Sequence, residues 1–260
     1  MKTTTKVLTI LLLISLLLSC SQNSTQSVEN QKIKIFVSWP GGEGLPHYQW
    51  KKGEPKPTGI EPKFIERVLE KAGLEYEYIT DLALQKGGDP RMYSLTTGQA
   101  DICIRAITIN EERKEKVLFT NSYYTDGLSA LVRKSDSLQS LSDLKGKRIY
   151  TLEFTTAHSW AKENLKESKL MTYEKFDTAF IAPEGLLLEN KIDAYILDKS
   201  FLNEIAKNNP ELEVISSKFT EEVIGIAVSK NRPELVEKLN NAMKKLKETG
   251  EFEKLLEELN

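Results

Sequence analysis

Residues 101–113 read DICIRAITINEER, and the fold turns on how this stretch is parsed. Ile102–Ile107 is an apolar run broken by one charge, Arg105, and Asp101–Ile107 predicts a strand. Thr108 and Asn110 then interrupt it, and Asn110 is a good N-cap for a helix carrying Glu111, Glu112 and Arg113. Upstream, Ile33–Ser38 predicts a strand and Pro62–Ala72 a helix, with Phe64, Ile65, Val68 and Leu69 on one face and Gly73 closing it. Leu74–Ile79 predicts a second strand, Arg91–Thr97 a helix ending at Gly98, and Asp101–Ile107 the third strand. This β-α-β-α-β order predicts a parallel sheet with crossover helices.

Downstream the same alternation begins again. Strands are expected at Leu128–Arg133, Ile149–Leu152, near Met171–Tyr173, and at Ile192–Leu197. Helices are expected at Ala157–Lys166, Phe180–Asn190 and Ser200–Asn208. Glu222–Val228 reads as a last strand. Two amphipathic helices, Pro233–Thr249 and Glu251–Leu259, follow it, separated by Gly250.

In an open α/β sheet, ligands collect at the carboxyl ends of strands. Arg113 falls near the third helical position, and helical side chains lean toward the helix start. Its guanidinium is therefore aimed at the strand end beside Thr108, an arrangement that suits a carboxylate. The competing assignment pairs Arg113 with Glu111, Glu112 or Glu115 on a solvated face. In the second half, Glu153-Phe154-Thr155-Thr156 follows a strand, with the Thr pair capping a helix. Asp198 ends another strand, where it is either an N-cap or the counter-charge for an ammonium group. The loop after the first strand, WPGGEGLPHYQWKKGEPKPTG, is long and aromatic, which argues for function.

The beginning of the chain reads differently. Lys2 and Lys6 precede the apolar run Val7–Leu18, whose twelve residues fall short of the roughly 20 that cross a bilayer. Residues 1–19 fit an export signal. Leu17-Leu18-Ser19-Cys20 resembles the bacterial lipobox, which makes Cys20 the expected lipid attachment site, with residues 20–31 a flexible tether. Residues 1–19 hold two of the 36 basic residues and none of the 38 acidic ones, leaving 34 against 38. No basic block stands out, so nucleic acid is not an expected partner. With Cys20 acylated, Cys103 has no disulfide partner and reads as a small core residue. His47 and His158 with Cys103 do not make a metal site, and no cofactor is expected.

In order and spacing these motifs resemble the type II periplasmic solute-binding proteins, the polar amino-acid-binding components of ABC importers. The likeness covers nearly all of residues 32–260. DICIRAITINEER matches a family pattern of the form D-h-h-h-x-G-M-T-I-T-P-E-R. LSDLKGKRIYTLEFTT parallels L-x-D-L-K-G-K-x-V-G-V-x-x-G-T-T, and NKIDAYILD parallels G-x-x-D-A-x-h-x-D. The resemblance implies a two-lobed α/β fold, each lobe a mixed, mostly parallel sheet flanked by helices, joined by a two-strand hinge. Residues 32–126 and 223–260 would form lobe one and residues 127–222 lobe two.

It also implies a lipid-anchored extracytoplasmic receptor, monomeric, that delivers an amino acid to a membrane permease. Arg113 and Thr108 would take the ligand carboxylate. The Ala106 carbonyl and Asp198 would take the ammonium, Thr155 and Thr156 would line the second lobe, and Trp39, Tyr48 or Trp50 would supply an aromatic wall. Arg105, Glu153 and Phe154 depart from the pattern. Arg105 and Glu153 would pair across the lobes, bind polar ends of a ligand, or leave Arg105 on the surface. Phe154, in a glycine position, would fill part of the cleft or shift the Thr loop. A dehydratase-like enzyme with Glu153 as general acid, and a signalling receptor, are the alternative functions.

Overall fold

The computed structural model describes residues 32–38, 43–80, 88–172 and 182–259. The export signal, the tether with Cys20, Trp39 and the first residues of the helix expected at 180–190 lie outside these.

Two five-stranded sheets organise the chain. The first is built from β1 (Ile33–Phe36), β4 (Tyr76–Tyr78), β5 (Ile102–Cys103), β6 (Leu118–Asp126) and β12 (Glu222–Val228), in the order β4-β1-β5-β12-β6. A two-residue pair, β2 (Glu43–Gly44) with β3 (Tyr48–Gln49), sits in the loop after β1. The second sheet contains β7 (Leu128–Arg133), β8 (Arg148–Tyr150), β9 (Lys169–Met171), β10 (Ala194–Asp198) and β11 (Leu212–Val214), in the order β11-β7-β10-β8-β9. The expected parallel pairings hold for β4-β1-β5 and for β10-β8-β9. Antiparallel pairs enter where the chain passes between sheets, through β6 with β12 and β7 with β10 and β11.

Helices cover the sheets as the apolar periodicity requires. α1 (Ile60–Ala72) buries Phe64, Ile65, Val68 and Leu69, and Gly73 ends it in the left-handed conformation, φ 69°. It packs with α7 (Glu234–Glu248), which buries Leu235, Leu239, Ala242, Met243 and Leu246, and with α8 (Glu251–Leu256). Each fully buried Leu, Ile or Phe contributes about 1.5–3 kcal/mol, so this face anchors the first half. α2 (Pro90–Thr96), α3 (Glu111–Lys116), α4 (Thr156–Asn164), α5 (Pro183–Leu188) and α6 (Lys199–Asn208) complete the set. Cys103 is buried beside Phe36, Leu95 and Ile107, in the core role expected of it.

Several elements depart from the sequence reading. The strand expected over Asp101–Ile107 stops at Cys103. Ala106 takes a positive φ of 44° and gives its N–H to Glu61 Oε1 at 2.7 Å. A side chain from another element has replaced the sheet partner. β6 and β11 were not expected; the polar Thr, Asn and Ser of LFTNSYYTD mask a nine-residue strand.

The two passages between sheets touch at Gly127. A Cβ there would lie 2.2 Å from the Thr220 carbonyl oxygen, and Leu128 N–H donates to Thr220 Oγ1 at 3.0 Å. Backbone against backbone cannot yield cheaply. Gly127→Ala is expected to lower the unfolding free energy by about 1–3 kcal/mol, the usual cost of overpacking. Urea denaturation of the variant against the parent measures this; an unchanged midpoint and slope would show that the crossing has slack.

Candidate functional site

The bend after β5 sets one side of the site. Asn110 Oδ1 accepts the Arg113 N–H at 2.9 Å, making Asn110 the side-chain cap of α3. The Arg113 side chain then folds back, and Nη1 donates to the Thr108 carbonyl at 2.9 Å. The solvated-face assignment fails, because Glu111 pairs with Lys114 and Glu112 with Lys116, each at 2.7 Å. Arg113 itself is buried and has no ion-pair partner among the described residues. Burial, and next the neighbouring Arg91, lower its pKa to about 10. It remains cationic at neutral pH.

Thr108 is buried beside it and bridges to Ile224 on β12. The Ala106 turn is held from below by Glu61, which also accepts from the Tyr123 hydroxyl. Burial pushes the Glu61 carboxyl up, but the nearby His47 ring and the hydrogen bonds from Tyr123 and the Ala106 N–H outweigh it and hold the pKa low. His47 Nδ1 lies 3.6 Å from Glu61 Oε1. Its Nε2 is 2.7 Å from Ser200 Oγ on α6, and its ring stacks on Phe201 with centroids 4.2 Å apart.

On the other side, β10 is buried throughout and ends at Asp198. The N-cap assignment for Asp198 does not hold: its side chain makes no cap bond. Asp126, at the end of β6, does that work, with Oδ2 accepting the Ser200 N–H at 3.1 Å. Asp198 Oδ1 is left buried with no hydrogen-bond partner. Burial, then Asp126 and Glu222, push its pKa up to about 7.

Thr155 caps α4, accepting the His158 N–H at 3.2 Å and donating to the Leu152 carbonyl at 2.6 Å. Its hydroxyl is thus committed to the helix start, while Thr156 begins the helix. Phe154 precedes the capped start of α4. Its backbone takes φ 62°, the conformation a glycine would adopt, and its ring is 49% exposed. A non-glycine residue held there costs on the order of 1–2 kcal/mol.

The cross-lobe pair of Arg105 with Glu153 does not form. Arg105 Nε donates to the Tyr48 hydroxyl at 2.9 Å, with the guanidinium 4.9 Å from the ring centre. Glu153 is exposed and has no ion-pair partner among the described residues. Trp50 is also corrected as a wall candidate. Its indole donates to the Glu54 carbonyl at 3.0 Å, packs edge-on against Tyr78, and is 1% exposed, so it holds the loop together.

Sequence reasoning missed Arg91. Asp89 caps α2 and holds Arg91 through two bonds of 2.8 Å, and Arg91 Nη2 reaches the Phe154 carbonyl at 2.9 Å. The Asp89-Pro90 pair signalled a helix start, but only the fold brings that start opposite the Phe154 turn. Among the described residues no group of His, Cys, Asp and Glu is placed to hold a metal ion, and no helix is long and apolar enough to cross a membrane.

Residues 42–259 match the model of the bacterial extracellular solute-binding proteins, family 3. The chain belongs to this family. It is 33% identical over 172 residues to the ABC transporter arginine-binding protein 1 of Escherichia coli, an alignment spanning 64% of this chain and 69% of that one. Its fold superposes with a TM-score of 0.74 on the arginine-, lysine-, histidine-binding protein ArtJ of Geobacillus stearothermophilus, at 29% identity over 88% of this chain and 95% of the other. An ancestral amino-acid-binding protein, AncCDT-1, described as a precursor of cyclohexadienyl dehydratase, matches at TM-score 0.72 and 26% identity, over 88% and 94% of the two chains. The chain therefore has the two-lobed type II binding-protein fold and a solute-binding role.

Asp198 makes stability depend on pH in a defined sense. Folded, it keeps its proton up to about pH 7; unfolded, it releases it near 3.9. Between those values the folded state binds the extra proton, so stability falls as pH rises from about 4 to 7. Asp198→Asn is expected to flatten that slope and to add on the order of 2–4 kcal/mol at pH 8 in the absence of ligand. Urea titrations at pH 5 and pH 8 measure it, and equal losses in both proteins would exclude Asp198 as the source.

Proposed function

We propose that the protein is a lipid-anchored, extracytoplasmic receptor that captures an amino acid between its two halves and presents it to an ABC permease. One observation carries this reading: a buried guanidinium without a carboxylate and a buried carboxylate without a donor lie within electrostatic reach of one another. Burying either charge unpaired costs several kcal/mol. A zwitterion supplies both missing partners at once.

In this reading Arg113 and the Thr108 hydroxyl take the α-carboxylate, while Asp198 and the Ala106 carbonyl take the ammonium. Thr155 and Thr156 border the site from the second half, and Tyr48, carrying Arg105, borders it from the first. Residues 32–126 with 223–260 would move as one lobe and 127–222 as the other, about the passages at Gly127 and before β12. Binding then favours closure because only the closed form satisfies both charges. Cys20 would carry the acyl chains that hold the receptor at the membrane.

The role is proposed as non-catalytic. The likeness to a dehydratase precursor keeps an enzymatic origin in view, but Glu153 is exposed and no acid–base pair with a demanding spacing accompanies it among the described residues.

Thermal-shift screening against the twenty amino acids, cystine and small dicarboxylates tests the reading. A true ligand at ~100 times its Kd should add about 2.7 kcal/mol. Arg113→Ala is expected to abolish that response while the protein remains folded. Retained affinity in this variant would remove Arg113 from the site, and steady consumption of a hit would replace the receptor by an enzyme.

A further inference from the structure

We propose that Arg91 is a closing latch, a positioning residue that draws the two halves together through protein atoms alone. The proposal rests on the two-lobed receptor reading and adds to it a contact that no ligand makes.

The latch has three parts. The first is a preset donor. Asp89 grips the guanidinium through Oδ1 to Nε and Oδ2 to Nη2, both at 2.8 Å, and the same carboxylate caps α2 through the Arg91 N–H at 3.0 Å. Both side chains are only 12% exposed. A guanidinium held at two points in a planar fork loses little further freedom when it makes another bond. The ion pair also disposes of the charge, since an isolated buried guanidinium would be costly.

The second part is a preset acceptor. The Phe154 carbonyl receives Arg91 Nη2 at 2.9 Å, and Phe154 holds a left-handed backbone, φ 62°. Such a conformation persists only where the surroundings repay its strain. The exposed ring contributes little burial, so the charge-assisted bond to the carbonyl is the compensating contact at this residue.

The third part is position. Arg91 belongs to the half built on the first sheet, and Phe154 follows β8 of the second. In the second sheet β8 is separated by β10 from β7, the strand that leaves the crossing at Gly127. Two strand spacings amount to about 10 Å, so this contact is well off the hinge line and must break when the halves swing apart. The His47–Ser200 bond differs in kind, because Ser200 is tied to Asp126 at the crossing itself. It sits on the hinge and can survive opening.

A hydrogen bond from a charged donor made only in the closed form shifts the closed-to-open ratio by about tenfold or more. Two consequences follow for a receptor. Part of the closed population exists before ligand arrives, and release of ligand must wait for the latch to open. Arg91 therefore governs the dissociation rate more than the encounter rate.

Arg91→Lys is the informative variant. Lysine still neutralises Asp89, so the fold keeps its ion pair, but its compact ammonium cannot chelate Asp89 in the same two-point way and also reach Phe154. Small-angle scattering of the ligand-free protein, parent against variant, should show a larger radius of gyration in the variant. Stopped-flow or surface-binding rates for L-arginine, L-glutamine and L-cystine should show koff raised about tenfold with kon not reduced. An unchanged ligand-free radius overturns the latch, even if koff rises, because Arg91 would then be touching ligand. An unchanged koff for an amino acid that does bind also overturns it. A larger radius in a protein whose parent binds none of these amino acids keeps the latch and removes the amino-acid reading instead.

Discussion

The organisation of this protein depends on the cost of two buried ionisable groups, Arg113 and Asp198, that its own chain leaves without a counter-charge. Arg113 and Asp198 are each nearly removed from solvent, and each has a neighbour of like sign, Arg91 beside the guanidinium and Asp126 and Glu222 beside the carboxylate. A fold maximising its own stability would pair them or replace them with apolar groups. Among the described residues four apolar clusters, two on each sheet, supply the stability that lets the expense stand. Solute-binding families work within this constraint, since a site fully satisfied by protein has nothing left to offer a ligand.

Other charged groups in the same region are matched with care, and the contrast is informative. Glu61 is deeper than Asp198 yet stays ionised, because it accepts from Tyr123 and from the Ala106 N–H and lies against His47. Asp126 caps α6, which releases Asp198, the residue next to that helix in sequence, from the task. Asp89 is occupied by Arg91 and by its own helix start. Arg113 and Asp198 are thus left without a counter-charge in a region where Glu61, Asp126 and Asp89 each hold a partner.

Phe154 shows how a departure from the family pattern can leave local geometry intact. The position takes the backbone conformation of a glycine, the helix after it is still capped by Thr155, and the aromatic ring is about half exposed. Its carbonyl meets Arg91, a residue whose own neighbours in sequence announce only a helix start.

Much was legible in the sequence alone. The strands at Ile33, Leu128 and Glu222, the amphipathic faces of α1 and α7, Asn110 as a cap and Gly73 and Gly250 as helix ends follow from local periodicity and backbone sterics. The aim of Arg113 toward Thr108 follows from them too, because it depends only on residues five apart in one short helix and its approach. Tertiary structure decided what local pattern cannot reach. The Ala106 bend needs the carboxylate of Glu61, 45 residues away. The freedom of Asp198 needs Asp126 from the other sheet, and the Arg91 contact needs a turn 63 residues distant. Periodicity records which face of an element is buried; it does not record which partner a polar atom meets, and that partner is what turns a cap, an ion pair or a bend into a site.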